Sequence, residues 1–132
     1  MALRSKSRAF ISFDYDHDQD LKNLLLGQAR NIDSPFYIED WSIKVASGKW
    51  KSEARDRIRR ADLVIVICGC HTHQAVGVSA EIEIARKEDR PYYLLRGRKS
   101  GWVRRPRGTS VWWDTMHPWT WDALLKITTG NR

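Results

Sequence analysis

Apolar positions along the chain follow two rhythms. Short, nearly continuous apolar runs stand at Ala9–Phe13, Phe36–Ile38, Leu63–Ile67 and Tyr92–Leu95. Between them, apolar residues recur every three or four positions. The runs read as buried strands over Arg8–Phe13, Phe36–Asp40, Leu63–Ile67 and Pro91–Leu95, with Pro91 in the first position, where a missing N–H is tolerated. The spacing predicts helices over Asp18–Ala29 (Leu21, Leu24 and Leu25 on one face), Trp50–Arg60 (Trp50, Ala54, Ile58) and Val78–Glu88. The last is ambiguous, because "EIEIA" alternates like a strand; its length and its charged ending favour helix. Val111–Trp113 reads as a further short strand. Thr120 reads as the N-cap of a final helix, Trp121–Thr128, with Asp122 in its first turn.

Strands alternating with helices imply an open parallel sheet with helices on both faces. Right-handed crossovers then put ligands at the carboxyl ends of strands. The loops that matter are 14–18, 39–48, 68–76 and 96–110. With 132 residues and no internal repeat, a single domain over 7–130 is expected, preceded by a flexible stretch over 1–6.

Composition narrows the setting. No apolar run approaches the roughly 20 residues of a membrane span, and the basic start lacks a signal-peptide core. A soluble cytoplasmic protein without membrane contact is expected. Cys68 and Cys70, one residue apart, disfavour a mutual disulfide and suit a reducing compartment. The net charge of +7 is concentrated in Arg96–Gly108, with six Lys or Arg and no acid, and five of the seven tryptophans lie beyond residue 100. Such a segment suits a solvated loop, a phosphate contact or an acidic partner.

The densest chemistry is "DYDHDQD", residues 14–20, between the first strand and its helix. Asp-x-Asp spacing without a turning glycine is a poor calcium loop. "CGCHTH", residues 68–73, lacks zinc-ligand spacing, so no metal is expected. A phosphoacceptor site would need an aspartate ending the central strand and a lysine ending a later one, but those strands end "ICGC" and "LLRG". Phosphate-binding glycine loops and a GxSxG nucleophile turn are absent. Glu81 and Glu83 remain, near the start of a helix that follows the best buried strand. A helix sets them about 200° apart, so at most one faces a strand-end crevice. There it could hold ribose hydroxyls or stabilise positive charge on a sugar as a glycosidic bond breaks. Acids in a first helical turn equally serve the helix dipole from the surface.

Taken together, "AFISFDYDHD", the Trp50–Ile58–Ala61–Thr72 stretch ending "ADLVIVICGCHT", "VSAEIEIARKEDRPYYLL" and "WTWDAL" resemble TIR domains over roughly residues 7–128. The branch they resemble most is the TIR-like proteins of the bacterial Thoeris antiviral system. The resemblance implies a flavodoxin-like α/β fold with a central parallel sheet of about five strands. It implies cleavage of the nicotinamide–ribose bond of NAD, with NAD as substrate and Glu81 as the catalytic carboxylate. Phe13, Asp14 and Tyr15 match the pocket-lining loop after the first strand. Asp40 and Trp41, where the family's mobile assembly loop begins, and Cys68, Gly69 and His71, at the pocket floor, complete the NAD-binding residues that the resemblance implies. Gly77 stands where relatives often carry Trp, four residues before the glutamate.

On this reading the ADP-ribosyl unit is captured by water, by its own adenine to give a cyclic product, or by another small molecule, and a signalling role is expected because the chain is too short for its own effector domain. Self-assembly through TIR–TIR contacts and a separate effector protein that reads the product are the expected partners. Two other readings stand beside it. One is a non-catalytic assembly module using loop 39–48 and the tryptophan-rich last third. The other is nucleic-acid binding through Arg96–Arg107, the least favoured of the three.

Overall fold

The computed structural model describes residues 6–45, 48–99 and 101–129. The stretch over 1–6 expected to be flexible lies outside them except for Lys6, as does the expected domain limit at residue 130.

Five strands form one sheet: β1 (Ser7–Ser12), β2 (Phe36–Trp41), β3 (Leu63–Cys68), β4 (Tyr92–Arg96) and β5 (Met116–His117). Their order is β2-β1-β3-β4-β5, and every pairing is parallel. The helices are α1 (Gln19–Ala29), α2 (Trp50–Arg59), α3 (Val76–Lys87) and α4 (Trp121–Thr129), with a 3₁₀ turn at Thr72–Gln74. This is the flavodoxin-like arrangement that the alternating pattern implied.

The alternation along β3 divides the core. Val64, Val66 and Cys68 face one side with Phe10, where Trp50, Ala54 and Ile58 of α2 and Val78, Ile82 and Ala85 of α3 cover them. Leu63, Ile65 and Ile67 face the other side, under Leu21 and Leu25 of α1 and Leu124 and Ile127 of α4. All six residues of β3 are buried, as a strand covered on both faces must be.

Two expectations change. Leu24 shares the spacing of Leu21 and Leu25 but is 61% exposed; the helix needs only part of an apolar stripe to cover this sheet. Val111–Trp113 is a turn, not a strand, and all three side chains are exposed. The fifth strand forms instead at Met116–His117, where Leu94 and Leu95 of β4 offer a free edge. The ambiguous "EIEIA" is helical because only a helix puts Val78, Ile82 and Ala85 on one face against β3.

Thr120 caps α4: its Oγ1 accepts the Ala123 N–H at 3.1 Å. Asp18 holds the equivalent position before α1 but makes no side-chain cap bond; its carboxylate is engaged elsewhere.

Candidate active site

β1 leads through α1 to β2 on one side, and the chain then crosses through α2 to β3 on the other. The sheet's switch point therefore lies between the neighbours β1 and β3. At their carboxyl ends opens a cleft of about 260 Å³. Phe13–His17 after β1, Ser42–Val45 after β2, and His71 with Gln74–Val78 around the start of α3 form its walls, and Glu81 reaches it from α3.

Glu81 sits at a core position of its helix, on one stripe with Val78, Ile82 and Ala85. It is only 1% exposed. One carboxyl oxygen, Oε1, accepts two hydroxyl hydrogens, from Ser42 at 2.6 Å and Ser12 at 2.8 Å. Ser12 ends β1 on the same sheet face as Phe10, and Ser42 follows β2 directly. Ser42 Oγ also accepts the Phe13 N–H at 3.1 Å, which ties the loops after β1 and β2 to the carboxylate. Burial pushes the Glu81 carboxyl up to about 7, against the Ser42 and Ser12 hydrogen bonds and the Arg57 charge, which pull it down. Glu83, two residues on, points out to solvent and lies 3.8 Å from Lys87. The helical geometry thus separates the two acids as their spacing required.

The acid run folds into a structured loop. Asp14 is buried; its Oδ2 takes the Nδ1–H of His17 at 2.7 Å and its Oδ1 the Asp16 N–H at 3.1 Å. The His17 ring stacks on His71, centroids 4.0 Å apart. Asp18 and Asp20 meet Arg98 from the basic segment, with Arg98 Nη2 3.1 Å from Asp18 Oδ1 and 3.0 Å from Asp20 Oδ1. Burial raises the Asp18 carboxyl despite that guanidinium, while the same guanidinium lowers exposed Asp20. Two glycines permit the crossing. A Cβ on Gly69 would collide with the Asp18 carboxylate, and one on Gly97 would lie 2.7 Å from Leu21 Cδ1 and 2.9 Å from the Cys68 carbonyl.

Of the residues expected at the site, Phe13, Asp14, Tyr15 and His71 share the cleft with Glu81. The structure places the other four outside it. Asp40 binds Arg57 Nη1 at 2.8 Å. Trp41 lies under the Lys22 ammonium, 5.1 Å from its ring centre. Cys68 faces the α2–α3 core, and burial pushes its thiol up to about 12, which rules out a ready thiolate. Gly69 supports Asp18 from beneath and gives its N–H to Thr72 Oγ1 at 2.7 Å.

None of the described residues of the basic segment lines the cleft. Gly77 does line it, and brings no side chain to the wall. Ser12, Ser42 and His17 were not read from the sequence as site residues. Ser12 carries a faint signal, a hydroxyl at an inward position of a buried strand; Ser42 stands in an aperiodic loop and carries none.

Among the described residues, no group of three or more His, Cys, Asp or Glu side chains is placed to share a metal ion, and no helix is long and apolar enough to cross a membrane. The arrangement is suited to stabilising positive charge in a shielded cleft: a buried carboxylate orientated by two hydroxyls, with further acidic, imidazole and apolar side chains in the walls.

Comparison with protein families matches residues 10–96 to the family described as Thoeris protein ThsB, TIR-like domain. No curated protein matches the chain significantly.

Proposed function

The chain belongs to the Thoeris ThsB TIR-like domain family, a defence-related class of TIR domain, and from that premise we propose that it cleaves the nicotinamide–ribose bond of NAD at the Glu81 cleft. The observation that carries the reading is the buried Glu81 carboxyl at the switch-point cleft, with Oε1 fixed by Ser12 and Ser42. As the bond to the pyridinium nitrogen lengthens, positive charge moves onto the ribose ring. A carboxylate held rigid in a low-dielectric cleft stabilises that charge more than water does, and it can also hold the ribose hydroxyls. A cleft of about 260 Å³ suits the nicotinamide–ribose half, with the remainder of NAD running out past exposed Lys44. The ADP-ribosyl unit is then captured in a cyclic or conjugated product, a signal for a separate effector protein.

The test is NAD consumption by the purified protein over a concentration series, with products separated by mass. Turnover with release of nicotinamide supports the proposal. A protein inert at every concentration favours the non-catalytic assembly reading. That alternative draws on Trp102, Trp112 and Trp113, which are 81%, 83% and 85% exposed beside the arginines of the last third.

Ser12→Ala probes the environment of the carboxylate. Its hydroxyl favours the ionised form, so its loss should move the pH at which Glu81 ionises up by about one unit. The acidic limb of the turnover–pH profile should move by the same amount. An unmoved limb would detach that limb from Glu81.

A further inference from the structure

The cleft contains a second ionisable assembly that the Glu81 reading leaves unused. Asp14 is 6% exposed, and a carboxylate can only accept, so the 2.7 Å contact fixes the proton of neutral His17 on Nδ1. That leaves the lone pair on Nε2. The ring is held on its edge by Asp14 and on its face by His71 at 4.0 Å. Asp14 is itself held by the Asp16 N–H, and the His17 carbonyl by Arg98 Nη2 at 3.2 Å. Asp14, His17 and His71 all line the cleft that Glu81 enters. Carboxylate, orientated imidazole and open cleft are the components of a general base.

We propose that His17, positioned by Asp14, is the general base that deprotonates the acceptor in the transfer half of the reaction, and that the acceptor is an oxygen nucleophile, a hydroxyl group. This rests on the NAD-cleaving function proposed above. In the step, the acceptor O–H bond breaks and its proton passes to His17 Nε2. The acceptor oxygen bonds to the ribose C1 carbon. The C1–nitrogen bond pair leaves with nicotinamide, which departs neutral. The positive charge of the nicotinamide ring ends as a proton on His17, which is returned to solvent. Glu81 serves bond cleavage whatever the acceptor; His17 serves only acceptors that must lose a proton.

That division supplies the test. A pyridine base such as 3-acetylpyridine replaces nicotinamide through its nitrogen lone pair and has no proton to give up. Transfer to oxygen and exchange with 3-acetylpyridine are measured side by side in wild type, His17→Gln and Asp14→Asn. The amide introduced by Asp14→Asn would keep an oxygen for the Asp16 N–H but present an NH₂ to His17 Nδ1. It would thereby move the ring proton to Nε2 and remove the base without removing the ring. The ratio of transfer to exchange is expected to fall about 10²-fold in both variants. Equal falls in both reactions, with the ratio kept, would mean a structural role only and overturn the proposal. So would an unchanged ratio at full activity. Wild-type protein that neither releases nor exchanges nicotinamide refutes the NAD reading itself, and the base falls with it.

Discussion

Glu81→Gln is expected to lower NAD turnover by at least about 10³-fold while making the protein more stable at alkaline pH. Both effects follow from one carboxyl group. Gln keeps the shape and an oxygen for the Ser12 and Ser42 hydroxyls, but it has no charge to set against a positive ribose, the effect that usually dominates such sites. The stability effect has the opposite sign. Burial raises the native carboxyl from 4.5 to about 7, so in that window the folded protein holds a proton that the unfolded chain has released. Stability from this group is complete below about pH 4.5 and is lost as pH rises through about 7. That difference corresponds to about 3 kcal/mol. Glu81→Gln should therefore match wild type near pH 4.5 and exceed it by about 3 kcal/mol at pH 8, read by chemical denaturation. A variant that keeps turnover would remove Glu81 from the chemistry. One whose stability difference does not grow with pH would contradict the burial of its charge.

Arg98→Met is expected to cost about 3 kcal/mol near pH 8. Asp18 is 1% exposed, and the Arg98 guanidinium is its ion-pair partner, shared with Asp20. Met keeps the length of the stem but leaves a buried carboxylate unpaired. The Asp18 carboxyl is raised by burial even with Arg98 present, so without it the group stays neutral to higher pH. The loss should accordingly be smaller at pH 4 than at pH 8. Adding Asp18→Asn to Arg98→Met should recover much of it, because no buried charge then remains. A loss below about 1 kcal/mol, or one equal at both pH values, would show that Asp18 is not dependent on this ion pair. Since Arg98 also holds the His17 carbonyl, the variant should loosen the acid loop at the cleft as well.

This pairing answers why so much negative charge sits after β1. Asp14 orientates His17, Asp18 and Asp20 neutralise Arg98, and Asp16 is left exposed at the cleft wall. The acid run and the basic segment are two halves of one contact, although the sequence presents them as separate patches.

The sheet, the order of its elements and the helix face bearing Glu81 could be read from local periodicity. A buried parallel strand must be apolar throughout, as Leu63–Ile67 is. Trp50, Ala54 and Ile58 had to share a face at helical spacing. The same geometry allowed only one of Glu81 and Glu83 to turn inward, and family resemblance selected Glu81. Local pattern does not specify which elements find a partner to cover. Val111–Trp113 has strand-like side chains, but Met116–His117 pairs with the edge of β4 instead. Leu24 keeps the helical rhythm beyond the width of surface that α1 has to cover.

The cleft was decided by tertiary structure. Ser12 and Ser42 meet Glu81 across 69 and 39 positions, and Arg98 meets Asp18 across 80. Contacts of that range arise only when crossovers bring the strand ends together, and no pattern within ten or twenty residues encodes them. Local pattern alone specifies which residues must be inside, because burial follows a period that the chain displays. Which polar groups share one cleft followed from where the loops after β1, β2 and β3 converge.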